Sequence, residues 1–279
     1  MPRLRHLHAP LVAIAGLLVA GVARERRRTT QRVAELRSHA VRRGARTVDA
    51  DDFEDLPAPV RRYFENVLPD GQPFVDEVRL EQAGTLRLGE HGSPWKSFAA
   101  TQWVTTNPPG FLWRAAIRLL PLVRVSIIDV YRGGDGDARV SLFGLPLGGA
   151  DASPELNEAE LMRYLAEAVW CPTALLPSEG VEWEAVDDDA ARATLEREGT
   201  EASLVFHFAH GEVTRVHTEA RYRQVDGELV PTPWTGRWRD YQRRNGILVP
   251  TAGEVVWHLS DGDLTAWRGR VTDIDHRPA

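Results

Sequence analysis

The chain has 279 residues, enough for one large or two small domains, and 43% of them are hydrophobic, with nine tryptophans to fill a core. Residues 1–46 carry eleven arginines against two glutamates, whereas the remainder has 23 basic against 38 acidic residues, for a net charge of −6. An acidic body excludes nucleic acid, which calls for a basic face, while a basic arm suits an anionic membrane surface.

Residues 9–23 are an uninterrupted apolar and small run of 15, preceded by Arg3 and Arg5 and followed by Arg24, Arg26, Arg27 and Arg28. A membrane span takes about 20 apolar residues and a signal-peptide core about 10–14, so this run lies between the two. Gly21-Val-Ala23 has the small-x-small form of a cleavage site, but arginines directly after it disfavour export. Residues 1–28 therefore read as an uncleaved, single-pass N-terminal signal anchor whose arginines reach the interface. Residues 29–43 read as an arginine-rich linker helix, solvated, with only a thin apolar stripe at Val33, Leu36 and Val41. Acidic residues 47–55 mark the boundary, and 56–279 form a single domain. Counting arginine flanks puts that body in the cytoplasm.

Within the body, 57–68 reads as a short helix with Val60, Phe64 and Val67 on one face. Strands follow. Val78, Leu80, Leu86 and Leu88 alternate with Arg79, Glu81, Thr85 and Arg87, the period of a sheet with one wet face. Strands are expected at 95–105, 111–117, 122–131 and 139–143, with turns at Asn107-Pro-Pro-Gly110 and Gly133-Gly-Asp-Gly136. Arg114, Arg118 and Arg124 argue against a second membrane span there. After a central helix the meander resumes at 181–186, 190–196, 202–209, 212–223 and 234–241. Asn245-Gly246 is a hairpin signal, and 247–249, 255–259 and 264–274 close the chain.

The central helix is the organising element. Asn157 and Glu160 have capping-box spacing; Leu161, Tyr164, Leu165, Ala168 and Val169 give one apolar face; Pro172 ends it. The expected fold is α+β: a large, curved antiparallel meander sheet of about a dozen strands, a half-barrel, with this inserted helix on its concave side. The N-terminal anchor helix completes it.

The stretch Arg163-Tyr-Leu-Ala-Glu-Ala-Val-Trp-Cys-Pro-Thr-Ala-Leu-Leu-Pro-Ser178 resembles the core motif of a bacterial domain-of-unknown-function family. So do Leu56-Pro-Ala-Pro-Val-Arg-Arg-Tyr-Phe64, Pro109-Gly-Phe-Leu-Trp113 and Trp234-Thr-Gly-Arg-Trp-Arg-Asp-Tyr241. The resemblance runs from about Leu56 onward and implies membership without an activity. More loosely, the order of strands and helix is similar to LolA- and LppX-type envelope carriers of lipoproteins and lipids. That likeness implies a hydrophobic ligand and a body outside the cytoplasm, against the arginine count.

The residues with chemistry are sparse. His207 and His210 have HxxH spacing, but a His210-Gly211 turn sets His207 opposite Thr214 and not His217, so a zinc triad is not expected. Asp187-Asp188-Asp189 lacks the glycine and distal glutamate of a calcium loop. Cys171, the only cysteine, sits at a helix C-terminus, which disfavours thiolate, and it can form no intrachain disulfide. No nucleophile elbow and no phosphate loop appears. The reading is therefore no cofactor, no metal and no catalytic residues. A hydrolase or lyase would have to use Glu167 with Asp240, the one carboxylate pair worth considering.

The main expectation is a membrane-anchored, non-enzymatic envelope protein whose cleft between sheet and helix holds a lipid-like ligand. Trp103, Trp113, Tyr164, Glu167, Trp170, Trp183 and Trp238 are the candidate ligand-binding residues, with Glu167 or a neighbouring arginine orienting a head group. The alternatives are the Glu167/Asp240 enzyme and an envelope scaffold with a solid core.

Overall fold

The computed structural model describes residues 8–41, 44–121 and 123–278, with the side chains of 8–15 and 17 outside that description. Arg3 and Arg5, the leading flank of the apolar run, also lie outside the described residues. Two antiparallel meanders make the sheet. The first is β1 (Val75–Leu86), β2 (Lys96–Thr106), β3 (Pro109–Leu120), β4 (Val123–Arg132), β5 (Asp135–Leu142) and β6 (Leu145–Ala150). The second is β7 (Val181–Asp187), β8 (Ala190–Arg197), β9 (Thr200–Ala209), β10 (Glu212–Val225), β11 (Glu228–Arg244), β12 (Ile247–Leu259) and β13 (Gly262–Pro278).

The meanders join through β1 and β13, giving one sheet of 13 strands among the described residues, in the order 6-5-4-3-2-1-13-12-11-10-9-8-7. It curls into a half-barrel, as a sheet this wide must. The curl brings Glu198, after β8, against Gly134, after β4. The expected α+β half-barrel is the observed fold. Two details differ. The stretch 247–249 and 255–259 is one strand, β12, which continues through Pro250 and Gly253. The short, exposed edge strand β6 was not expected.

Helix α3 (Pro154–Glu167) and three short 3-10 turns at Ala168–Trp170, Pro172–Leu175 and Pro177–Glu179 cross the concave face from the β6 edge to the β7 edge. Leu161, Leu165, Val169, Leu175 and Leu176 are fully buried there against both meanders. Helix α2 (Ala58–Val67) plugs one end of the half-barrel, burying Val60, Tyr63, Phe64 and Val67. Asn66 Nδ2 fastens it to the β9–β10 turn by donating to Gly211 O at 3.0 Å.

Helix α1 (His8–His39) crosses the convex face. The solvated linker expected over 29–43 is instead docked: Val33 and Leu36 are buried against Leu112, Ile128 and Val130. Arg32 pairs with Asp137 at 2.9 Å, Arg132 with Glu35 at 2.6 Å, and Arg37 with Glu77. Among the described residues no helix is long and apolar enough to cross a membrane.

Candidate functional site

Ser153 caps α3 by accepting from Leu156 N–H at 3.2 Å, and Pro154 starts its first turn. The capping box expected from Asn157 and Glu160 does not form, because the helix begins a turn earlier. Asn157 Oδ1 instead accepts from Gly136 N–H at 2.8 Å. Seven residues make two turns, so Glu160, Arg163 and Glu167 share the face of α3 turned to β3 and β4.

Arg163 is the hub. Its Nη1 donates to Asp129 Oδ2 of β4 at 2.8 Å and its Nε to Glu167 Oε1 at 3.0 Å, with Glu160 Oε2 at 3.8 Å. The guanidinium lies over the rings of Phe111 and Trp113, 4.8 and 5.0 Å from their centroids. Gln102 Nε2 donates to Glu167 Oε2 at 2.6 Å, and Trp113 Nε1 donates to Gln82 Oε1 at 2.8 Å. Burial disfavours the charged forms of Asp129, Glu160 and Arg163. It raises the pKa of Asp129 despite the opposing pull of Arg163, and it raises that of Glu160. Arg163 also loses by burial, but Glu167, Asp129 and Glu160 together hold its proton more firmly than usual.

Arg221 of β10 is the contrast. Its Nε donates to Ala159 O at 3.2 Å, and it lies over the rings of Trp234 and Trp257. Among the described residues no carboxylate lies within ion-pair distance of it, and burial lowers its pKa.

Between these arginines, α3 and strands β1 and β11–β13 is a half-enclosed cavity of about 170 Å³. Trp113, Trp170, Trp234, Trp238 and Trp267 wall it, with Asp129, Arg163, Glu167, Arg221 and Gln82 supplying polar atoms. The rings lie on glycines. A Cβ on Gly253 would meet Trp238 at 2.7 Å, one on Gly236 would meet Trp234 at 3.0 Å, and one on Gly269 would enter the Trp267 ring. Only glycine leaves the strand surface low enough for the rings to fold flat. Trp170 is fixed by donating Nε1–H to Pro250 O at 3.0 Å and by an edge contact to Trp238 at 5.0 Å. The buried Nε1–H groups of Trp234 and Trp238 have no hydrogen-bond partner among the described residues.

Of the residues expected at a ligand site, Trp113, Glu167, Trp170 and Trp238 line this cavity. Tyr164 sits next to it, in a tight space shared with Glu167, Gln102 and Cys171. Trp183 lies elsewhere: its Nε1 donates to Leu175 O at 2.9 Å and its ring packs on Phe206. Trp103 is on the convex face beside Val33 and Ala34 of α1. The carboxylate pair is not formed either. Asp240 is exposed and pairs with Arg270 at 3.3 Å. Its left-handed φ of 59° interrupts the alternation that would have set it on the face of Trp238. Tyr241 takes that face instead, packing against the core and donating to Val213 O at 2.9 Å.

Among the histidines, His207 pairs with Arg215 across the ladder and not Thr214, because a register shift follows Val213. No group of three metal-ligating side chains converges among the described residues. Asp129, Arg163 and Arg221 escape sequence reasoning because arginine and acid are abundant throughout. Trp234-Thr-Gly236 and Trp267-Arg-Gly269 do carry a signal: tryptophan two residues before glycine on a strand puts ring and gap on one face.

Residues 54–276 match the model of a family described as "Family of unknown function (DUF6920)". Comparison with curated proteins gives no match. Among solved structures, the LolA superfamily protein NE2245 from Nitrosomonas europaea is similar at 12% identity and a TM-score of 0.41, over 80% of this chain and 93% of its own. A β-barrel-like protein of domain of unknown function DUF1849 from Brucella abortus is similar at 9% identity and 0.24, over 73% and 99%. Likeness this distant carries no ligand or chemistry across.

Proposed function

We propose, for a chain that belongs to the family of unknown function DUF6920, a binding role: a membrane-anchored protein that holds a lipid-like ligand in the tryptophan cavity. The observation that carries this reading is an aromatic hollow bordered by Arg221, a buried guanidinium without a carboxylate partner among the described residues. An oxygen-rich head group in the hollow gives Arg221 the acceptor it lacks. Its first carbons then lie on the Trp267 and Trp238 rings.

The cavity volume limits what enters. About 170 Å³ is below the usual range of about 300–1,000 Å³ for ligand sites. It is close to the roughly 150 Å³ that accepts benzene. The buried part is therefore about six heavy atoms, a carboxylate-sized head group with about three further carbons, and the rest of an acyl chain lies outside. The apolar run at 9–23 supports the anchoring half of the reading.

Titration of the full chain with saturated fatty acids of increasing length, read by tryptophan fluorescence, tests the proposal. Affinity should grow by about 0.8 kcal/mol for each added CH2 and level off once the hollow is full, near about four carbons in total. Arg221→Met should weaken every member of the series alike. An absence of response at every length defeats the reading.

A further inference from the structure

We propose that the turns β1–β2, β3–β4 and β5–β6 form a rim that rests on an anionic bilayer, beside the point where α1 enters it. The inference rests on the membrane-anchoring half of the reading above and not on the cavity.

Three observations converge on this end of the first meander. The first is direction. α1 runs along the convex face from the β5–β6 turn, where Gly21 touches Phe143 and Gly144, to the β2–β3 turn, where Val41 N–H donates to Asn107 O at 2.8 Å. Its residues before Gly21 therefore project beyond the β5–β6 end. His8 to Gly21 is about 20 Å of helix at about 1.5 Å per residue. By sequence this is the apolar run.

The second is exposed apolar surface. Eight large hydrophobic residues are exposed among those described. Five of them, Val19, Leu88, Leu120, Leu145 and Leu147, lie on this rim or on the helix passing it. Leu120, Leu145 and Leu147 are each about 60% exposed, on short turns and an edge strand with no partner. Such a cluster is costly in water and favourable at a lipid interface.

The third is charge. Arg118 and Arg124 face each other at the β3–β4 turn, and Arg24, Arg26, Arg27 and Arg28 follow the apolar run on α1. Among the described residues none of these six forms an ion pair, in a chain where most other arginines near acids do. The acidic residues nearby are Glu25, on α1 itself, Glu90, which is engaged by Arg223 at 2.6 Å, and Asp261 of the β12–β13 turn, 3.4 Å from His91, so the basic part of the rim is the β3–β4 turn and α1. The acidic turn that ends β8 is carried by the curl to the opposite end of this meander, against Gly134. Basic residues flanking exposed leucines match an anionic head-group layer over an acyl layer. Trp267, on the lip of the cavity, pairs with Leu86, two residues from Leu88, so the cavity lip adjoins the rim.

The full chain, reconstituted in vesicles of phosphatidylglycerol and phosphatidylcholine, tests this with an environment-sensitive dye on single cysteines. Leu120→Cys and Leu145→Cys probe the rim; Val41→Cys and Val186→Cys probe the far side; the unsubstituted chain, whose Cys171 is buried, is the blank. Rim dyes should shift to the blue and be quenched by nitroxide lipids, with far-side dyes unaffected. Arg118→Gln and Arg124→Gln should each lower the docked-to-undocked ratio about fivefold, the worth of one interfacial charge. Protein that fails to float with vesicles overturns both the anchor and the rim. Protein that floats with unquenched rim dyes overturns the rim alone. A blue shift without nitroxide quenching shows a second protein copy on this surface and overturns it too.

Discussion

Replacing Arg163 by methionine isolates the charge at the centre of the site, because methionine keeps a flexible stem against Phe111 and Trp113. Asp129 and Glu167 lose contacts of 2.8 and 3.0 Å, and Glu160 loses its neighbour at 3.8 Å. Side-chain exposures of 15% for Arg163, 17% for Asp129 and 18% for Glu167 mean that water compensates little. Removing one partner of a buried pair costs about 3–5 kcal/mol. The stranded carboxylates can escape by taking up protons, which sets a sign. Asp129 and Glu160 already have raised pKa values in the folded protein, and the substitution raises them further. A carboxyl with a raised folded-state pKa binds more protons folded than unfolded, so its presence costs stability as pH rises above the unfolded value. The penalty of Arg163→Met should therefore be large at pH 8 and smaller at pH 5, by at least about 1.4 kcal/mol, a tenfold change in one proton affinity. Urea unfolding at both pH values, followed by tryptophan fluorescence, measures it. An equal penalty at the two pH values, or one below about 1 kcal/mol, refutes the electrostatic account of the hub.

Three further outcomes follow from packing and titration. Leu36→Ala opens a space beneath α1 opposite Gly110 and Leu112 and should cost about 2–5 kcal/mol, with amide exchange rising first in the second half of α1. Gly253→Ala drives a methyl into the Trp238 ring and should cost about 1–3 kcal/mol while shifting the emission maximum, since the ring cannot stay flat. Burial lowers the pKa of His276, whose ring bonds Trp170 O at 2.8 Å, so the folded state takes up fewer protons than the unfolded one as pH falls below the ordinary histidine value. Melting temperatures of His276→Gln and the natural chain should therefore converge from pH 7.5 to 5, and parallel curves would contradict this.

The meander was legible because its strands alternate. In β1 the residues Val78, Leu80 and Leu86 face the core in the positions that a period of two assigns them. β6 was not legible: Leu145-Pro-Leu-Gly-Gly-Ala150 has neither alternation nor a buried face, and only its pairing with β5 makes it a strand. β12 looked broken because Pro250 and Gly253 read as punctuation. Here the proline carbonyl anchors Trp170 and the glycine makes room for Trp238. The docking of α1 had a trace in β3, where Phe111, Leu112 and Trp113 are consecutive and buried; a strand that is apolar on both faces is covered on both. Asp240 misled for the opposite reason. One left-handed residue resets the face of everything after it, and aspartate, though it enters that region more readily than most residues, does so too rarely to mark the position.

The junction of β1 with β13 has a temporal side. Glu77 pairs with Arg277 and Val78 with His276, across about two hundred positions of chain. On a ribosome β1 therefore emerges with one edge bare and waits, at about 5–20 residues per second, for ten seconds or more until its neighbour arrives. During that interval the early meander is a template with an open side. Whatever shields it, a chaperone or the bilayer itself, has to let go in time for the final strand to zip the two halves together.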